Sequence, residues 1–421
     1  DETRRRELEV FWSHRISEVD GRPEGGHEKK IRHPLKAAHP DWVIPCSFWW
    51  QGMWNLASAG LREHKIAELR ELAENYDLDG IQIDFARHAP YLPVGRQWEL
   101  RGQVTTFMRM LRRMTLEVGT KRGRPFLLAA RIPRNLAGCR VDGLDVKAWA
   151  EQSLVDVLTL GSRAMDVEVE GFRRAVGGAV RLQPCFDDHH ATDGYRYRPI
   201  EYLRGVFANH WQRGADSVVT FNWSIGTPEV ARKVGGEIGS PAQQVAYQEI
   251  GDPQTMAGKD KVFAGERRGG YPWSDGYVNR NHDAPLPVRL SDRDSKVELS
   301  LRIGDRPAGG GRLTVRCILF GAAKGDEFEI RLNGVRLGVD SNDHAWKDAQ
   351  IFSPRPQPAS GGKGRYRVNP KQRLRRIDCP VPGGSWQVGS NRFEIRITRS
   401  DEAAPDRTVY LEKVEGWLRY P

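Results

Sequence analysis

The feature that most constrains the fold is an alternation running through the first 240 residues. Short runs rich in β-branched and aromatic residues are separated by stretches whose apolar side chains recur at helical spacing. The runs are LEVFWSH (8–14), GIQIDFA (80–86), FLLAARI (126–132), VDVLTLG (155–161), AVRLQPCF (179–186) and DSVVTFNW (216–223). WVIPCSF (42–48) is weaker because a proline interrupts it, and it reads as strand or loop. Between the runs, 61–76 carries Ile66, Leu69, Leu72, Ala73 and Tyr76 at helical spacing. In 103–119, Val104, Phe107, Met108, Leu111 and Val118 form one face, with Arg109, Arg112 and Arg113 mostly opposite. In 200–214, Ile200, Leu203, Phe207 and Trp211 share a face that stops at Gly214, a C-terminal signal.

Such alternation predicts βα units around a parallel sheet, and so an α/β barrel of the (β/α)8, TIM-like kind. Six or seven strands fall short of eight, so LEVFWSH reads as the third strand and the opening strands as absent from this chain. A permuted or open barrel is the alternative. The expected division is a barrel over 1–240, a linker or crossover over 241–275, and an accessory β-sandwich over 276–421. The last follows from period-two alternation in KVELSLRI (296–303), RLTVRCILF (312–320), EFEIRLNGVRL (327–337), NRFEIRITR (391–399) and TVYLEKVEGWLRY (408–420). Asn333-Gly334 is a hairpin turn signal. Residues 351–375, rich in Pro, Gly and basic side chains, read as a long exposed loop.

Barrels gather function at the C-terminal ends of their strands, and those ends are polar in nearly every unit. The first run delivers His14 and Arg15, with Glu18 and Asp20 beyond; the second delivers Asp84, Arg87 and His88. The others end at Arg131 and Arg134, at Ser162 and Arg163, at Asp187, Asp188, His189 and His190, and at Asn222 and Trp223. Convergence of these ends on one rim implies a polar ligand. Glycoside hydrolysis uses a carboxylate pair about 5–5.5 Å apart for retention and about 6.5–9.5 Å apart for inversion. Asp84 as general acid/base, with Asp187 or its neighbour Asp188 as nucleophile or second carboxylate, would supply such a pair. His14, Arg15, Glu18, Trp49, Arg87, His88, Arg131, Arg163, Asn222 and Trp223 would bind substrate; Trp50 and Trp54 are further stacking candidates, while Trp42 and Trp149 read as core.

Other chemistries find less support. The histidines show no HxH or HExxH spacing, so no metal or other cofactor is expected. There is no P-loop, no GxGxxG after a strand and no GxSxG. A chitinase-type DGxDxDxE is broken at Gln82 and Ala86. The five cysteines (Cys46, Cys139, Cys185, Cys317 and Cys379) are odd in number and scattered, which argues against a disulfide framework. No apolar run of about 18 residues signals a membrane span. A net charge of +10 favours anionic partners, and thirteen tryptophans tilt that preference toward sugars over nucleic acid.

The stretch NYDLDGIQIDFAR, with HPDW (39–42) upstream, resembles the glycosyl-hydrolase-like family ten group of bacterial barrel proteins. RGRPFLLAARIPR (122–134), GLDVKAWAEQSLVDVLTLG (143–161), GADSVVTFNW (214–223) and EIGDPQTMAGKDKVF (249–263) extend the resemblance over about residues 1–265. It implies that GIQIDFA is the fourth strand, that two strands precede this chain, and that the C-terminal region is an accessory β-domain. It also implies similarity to the retaining-hydrolase clan with catalytic groups on strands four and seven. That clan uses glutamates where this chain has Asp84 and Asp187/Asp188. The expectation is therefore a secreted or periplasmic glycoside hydrolase acting on a polysaccharide, acidic or sulfated in character; a non-catalytic glycan-binding protein with the same cleft is the alternative.

Overall fold

The computed structural model of the chain describes residues 2–17, 33–46, 49–86, 89–161, 164–187, 198–221, 223, 241–267, 284–290, 296–305, 310–348, 373–403 and 407–421. The chain divides into two compact units. One holds the described residues up to 161 together with 167–185; the other holds 164–166, 186–267 and the described residues from 284 onward.

The first unit opens with a short helix α1 (Glu2–Arg5) and strand β1 (Phe11–Arg15). After α2 (Pro34–Ala38) come β2 (Val43–Cys46) and β3 (Trp49–Trp54), which pair antiparallel. WVIPCSF is thus half of a hairpin rather than a member of the parallel sheet. The βα units proper are α3 (Ala59–Asn75), β4 (Gly80–Asp84), α4 (Arg101–Arg122), β5 (Leu127–Ile132), α5 (Leu136–Asp142), α6 (Val146–Glu151), β6 (Val157–Leu160), α7 (Val169–Val176) and β7 (Arg181–Asp187). Strand order is β1-β4-β5-β6-β7, with all four pairings parallel. Strands that are sequential and parallel, joined through helices, are those of part of a (β/α) barrel wall. β7 passes from the first unit into the second, where β8 (Val219–Phe221) follows it in the strand order.

The sequence explains this local structure. β4 is buried on both faces apart from Gln82, which is why it reads as an unbroken run. Glycine is required at position 80: a Cβ there would lie 2.4 Å from the Phe11 ring and 2.6 Å from the Leu127 carbonyl oxygen. Asp79, just before it, accepts the Val10 N–H at 2.7 Å and ion-pairs with Arg4 and Arg124, joining the starts of β1, β4 and β5. α4 buries Val104, Phe107, Met108, Leu111 and Val118, then stops at Gly123 in the left-handed region (φ +66°). Its opposite face is not merely solvated. Arg112 holds Asp156 through two bonds of 3.0 and 2.8 Å, and Asp156 in turn accepts the Leu128 N–H at 2.8 Å. α3 departs from its expected face: Tyr76 is 60% exposed at the C-cap, while Lys65 and Arg62 are buried.

The second unit contains α8 (Ile200–Gln212), α9 (Pro241–Glu249), a 3-10 turn at Pro253–Met256 and β9 (Lys261–Ala264). The remaining strands are β10 (Val288–Leu290), β11 (Lys296–Ile303), β12 (Arg312–Phe320), β13 (Glu327–Leu332), β14 (Val335–Arg336), β15 (Ser341–Trp346), β16 (Leu374–Pro380), β17 (Gly389–Arg399) and β18 (Val409–Arg419). They form two antiparallel sheets, β10-β18-β12-β16-β15 with β9 also on β18, and β11-β17-β13-β14. Asn333 and Gly334 make the tight turn between β13 and β14, both at positive φ. Leu313, Val315, Cys317 and Leu319 from one sheet and Ile330, Leu332, Phe393 and Ile395 from the other join a single apolar core. Leu203, Val206 and Phe207 of α8 belong to that same core. α8 approaches β9 so closely that a Cβ on Gly205 would sit 1.9 Å from the Val262 carbonyl oxygen. The part of 241–275 that is described is therefore structured, and it adds a strand to a C-terminal sheet.

Candidate functional site

Strand register lines up one row of side chains near the C-terminal ends of the first unit's strands. Arg15 pairs with Asp84, Asp84 with Arg131, Arg131 with Thr159, and Thr159 with Gln183. Paired residues of a parallel ladder project from the same face, so the row presents two cations, a carboxylate, a hydroxyl and an amide on one side of the sheet. The opposite side carries Ile81, Ile83, Leu128, Ala130, Leu158 and Leu160, all buried. Ser13 and Gln82, two residues back on the same face, are hydrogen-bonded into this row. Ser13 donates to Gln82 at 3.0 Å, Gln82 donates to Thr159 at 2.9 Å, and Thr159 donates to Gln183 at 3.3 Å. Gln82 can reach across β5 to β6 because the residue between them is Ala129, whose methyl leaves the space open.

Asp84 is 3% exposed. Its Oδ1 lies 3.2 Å from Nε of Arg131 and accepts the Ala86 N–H at 2.9 Å. The backbone just past it is fixed on both sides. Phe85 donates its N–H to the Arg131 carbonyl at 2.8 Å, and its own carbonyl accepts the Tyr91 hydroxyl. The Phe85 ring packs on Tyr91 at 5.2 Å and on Trp149 at 5.7 Å. Burial, helped by the charges of Asp142 and Asp84, pushes the Tyr91 phenol well above its ordinary range, so it stays a donor. A carboxylate set against a cation and held by a locked backbone can orient a hydroxyl or water, or face developing positive charge.

Of the other anticipated residues, Arg15 is exposed at the end of the row. His14 is on the opposite face, as strand alternation demands: it pairs with Ile83, whose side chain points into the core. There it meets α3. Burial and then the charge of Lys65, opposed by Glu68, push its imidazole down to about 4. Neutral at physiological pH and turned from the row, it is not a group for holding an anion beside Asp84. Trp54 is core rather than a stacking platform, being 1% exposed with Lys36 and Lys65 at 5.1 and 5.5 Å from its ring. Trp149 is fully buried.

In the second unit, Asp187 ends β7 and is completely buried. Trp223 donates its indole N–H to the Phe186 carbonyl at 3.2 Å and packs edge-on against Phe207 and Tyr247, which braces the backbone immediately before Asp187. Glu18, Arg87, His88, Arg163, Asp188, His189, His190 and Asn222 lie outside the described residues, as do the side chains of Trp49 and Trp50. Among the described residues no three His, Cys, Asp or Glu side chains cluster as a metal site would require, and no helix is long and apolar enough to cross a membrane. Cys139, Cys185, Cys317 and Cys379 are buried and are not joined in disulfides.

Sequence reading missed Gln82, Thr159, Gln183 and Tyr91. The first three carried a signal: each is a polar residue within an otherwise apolar strand, and Gln82 stands two residues from Asp84 and so on its face.

No family model matches the chain, and no curated protein does. Among solved structures, it is similar to a family GH18 chitinase from Chromobacterium violaceum at 10% identity, covering 97% of this chain and 79% of that one, with a TM-score of 0.38. It is similar to the glycoside hydrolase domain of PelA from Pseudomonas aeruginosa at 12% identity, covering 52% and 81%, with a TM-score of 0.31. A cycloisomaltooligosaccharide glucanotransferase from a Paenibacillus species overlaps at 9% identity, covering 97% and 45%, with a TM-score of 0.32. Overlaps this loose carry no argument about the reaction, which rests on the residues themselves.

Proposed function

We propose that the chain is a carbohydrate-active enzyme of the glycosyl-hydrolase-like barrel kind, with an accessory β-sandwich, and that it hydrolyses a glycosidic bond with a pair of carboxylates. The observation carrying this reading is the row Arg15–Asp84–Arg131–Thr159–Gln183 at the strand ends, where barrels build their sites. Its mixture of cations, acceptors and a hydroxyl suits a ligand dense in hydroxyl groups. Asp84 is the general acid/base, protonating the leaving oxygen and taking a proton from the attacking water. Asp187 is the nucleophile or second carboxylate, with Asp188 its rival. Arg15 and Arg131 hold hydroxyls or a carboxylate of the sugar, since a guanidinium offers a planar fork of donors. An acidic polysaccharide is the favoured substrate class, on the strength of the net charge of +10.

The test is release of reducing ends from neutral, uronic and sulfated polysaccharides by the wild type, Asp84→Asn and Asp187→Asn. Turnover undiminished by Asp84→Asn would remove the assignment. The ion pair of Asp84 with Arg131 also favours a second reading, a non-catalytic glycan-binding cleft in which that pair is architectural. Binding without turnover across the whole panel would select it.

A further inference from the structure

The outer face of the sheet β11-β17-β13-β14 carries a groove of about 430 Å³ lined by Lys296, Glu329, Arg331, Arg392, Glu394 and Arg396. Register places these six on one side: Lys296 opposite Arg396, Arg396 opposite Glu329, Arg331 opposite Glu394, with Arg392 two residues along from Glu394. Cross-strand ion pairing is the ordinary reason for such a ladder. Here pairing does not account for the composition: with Glu298 beside Lys296 at 3.3 Å and Arg336 near Glu329 at 3.9 Å, five cations meet three carboxylates on this face.

Depth separates the two signs. The Glu329 and Glu394 side chains are 10% and 5% exposed, whereas the four cations lining the groove are between 38% and 54% exposed. Glu329 accepts the Nε–H groups of Arg331 and Arg396 at 2.9 and 3.1 Å, and Glu394 is held by Lys296 with Arg392 at 3.3 Å. Glu329 and Glu394 thus form the floor and the cations the rim, where the exposed Glu298 stands beside Lys296. Arg331 and Arg396 are engaged with Glu329 through Nε; Arg331 also donates from one terminal nitrogen to the Gly334 carbonyl at 3.1 Å, so it is Arg396 that presents its terminal edge to a second carboxylate.

We propose that this groove is a non-catalytic binding site for a carboxylated glycan, a polyuronate. The rim matches carboxylates, which the same arginines already bind on the floor. The floor discriminates further: its carboxylates would repel a ligand made only of anionic groups, but they accept hydroxyl hydrogen bonds. Polyuronates bring both carboxylates and hydroxyl donors, whereas a phosphodiester backbone or an acidic peptide brings charge without that density of donors. The inference does not depend on the first unit being an enzyme.

The test measures affinity of the full chain for polygalacturonate, with neutral dextran, dextran sulfate, polyglutamate and duplex DNA as comparison ligands at matched salt. Two pairs of substitutions, Lys296→Gln with Arg392→Gln and Arg331→Gln with Arg396→Gln, are compared with Arg5→Gln, which removes an exposed cation from α1. The expected result is binding to polygalacturonate and not to dextran, weakened at least tenfold by either pair and unchanged by Arg5→Gln, with a shallower salt dependence in the paired variants. Absent binding by the wild type, equal loss in Arg5→Gln, no loss in both pairs, or tighter binding of dextran sulfate, polyglutamate or DNA would each overturn the proposal.

Discussion

His14 offers a prediction that separates a packing role from a substrate-binding one. Its imidazole is 8% exposed, sits against α3, and is pushed down to about 4 by burial and Lys65. An unfolded histidine titrates near 6.5, so below that value the unfolded chain takes up a proton that the folded chain refuses. Stability is therefore intact above about pH 7, falls as pH drops through 6.5, and levels off near the folded value of about 4. At pH 5 the unfolded imidazole is almost wholly charged and the folded one about one-tenth charged, a cost of about 2 kcal/mol relative to pH 8. The full cost, reached below pH 4, is about 3 kcal/mol. Urea unfolding at pH 8, 6 and 5, followed by peptide-resolved hydrogen exchange over β1 and α3, reads this locally. His14→Gln should be less stable at pH 8, because an imidazole is lost from a packed site, yet should lose about 2 kcal/mol less than the wild type between pH 8 and 5. Parallel losses in both proteins would refute the burial argument. A raised KM for glycan with an unchanged pH slope would restore His14 to the binding site.

His210, pushed down to about 3 by burial and Arg213, predicts the same acid-side loss in the second unit; His210→Gln should flatten the pH dependence over α8 and leave β1 unaffected. Asp84→Asn should lower reducing-end release by about a hundredfold to ten-thousandfold with an unaltered circular dichroism spectrum. Thr159→Val strands the amides of Gln82 and Gln183, and urea midpoints should register a loss of about 1–2 kcal/mol. Gly205→Ala forces a methyl against the Val262 carbonyl and should cost about 3 kcal/mol, seen as a lower melting temperature or loss of soluble protein.

The βα wall was legible because β4, β5, β6 and β7 are largely buried on both faces, and burial on both faces leaves an apolar run between helices. Asp84 stood out for the same reason, as a charge at the end of such a run. What periodicity could not convey is which side chains share a face when a strand is misjudged by one residue. LEVFWSH ends at His14, whereas β1 runs to Arg15, and alternation then puts the two on opposite sides of the sheet. Lys65 and Arg62 also escaped notice, since long aliphatic stems can lie in a core when their heads find partners: Lys65 has Glu68 and the Trp54 ring, and Arg62 has the Leu56 carbonyl. The hairpin β2/β3 was obscured by Pro45. The polar residues Gln82, Thr159 and Gln183 were visible one by one, but only the folded sheet brings them within hydrogen-bond reach of each other.

The sharing of a core between α8 and the C-terminal sheets bears on how this protein could arise and be taken apart. A gene cut after residue 240, where composition changes, would strip Leu203, Val206 and Phe207 of the strands that cover them. The fragment would carry an oily helix into water and tend to precipitate. Recombination that swapped one C-terminal region for another would meet the same obstacle, because the Val262 backbone leaves no room for a side chain at position 205. The two halves of this chain are therefore expected to be inherited together, and variants that exchange one must exchange α8 with it.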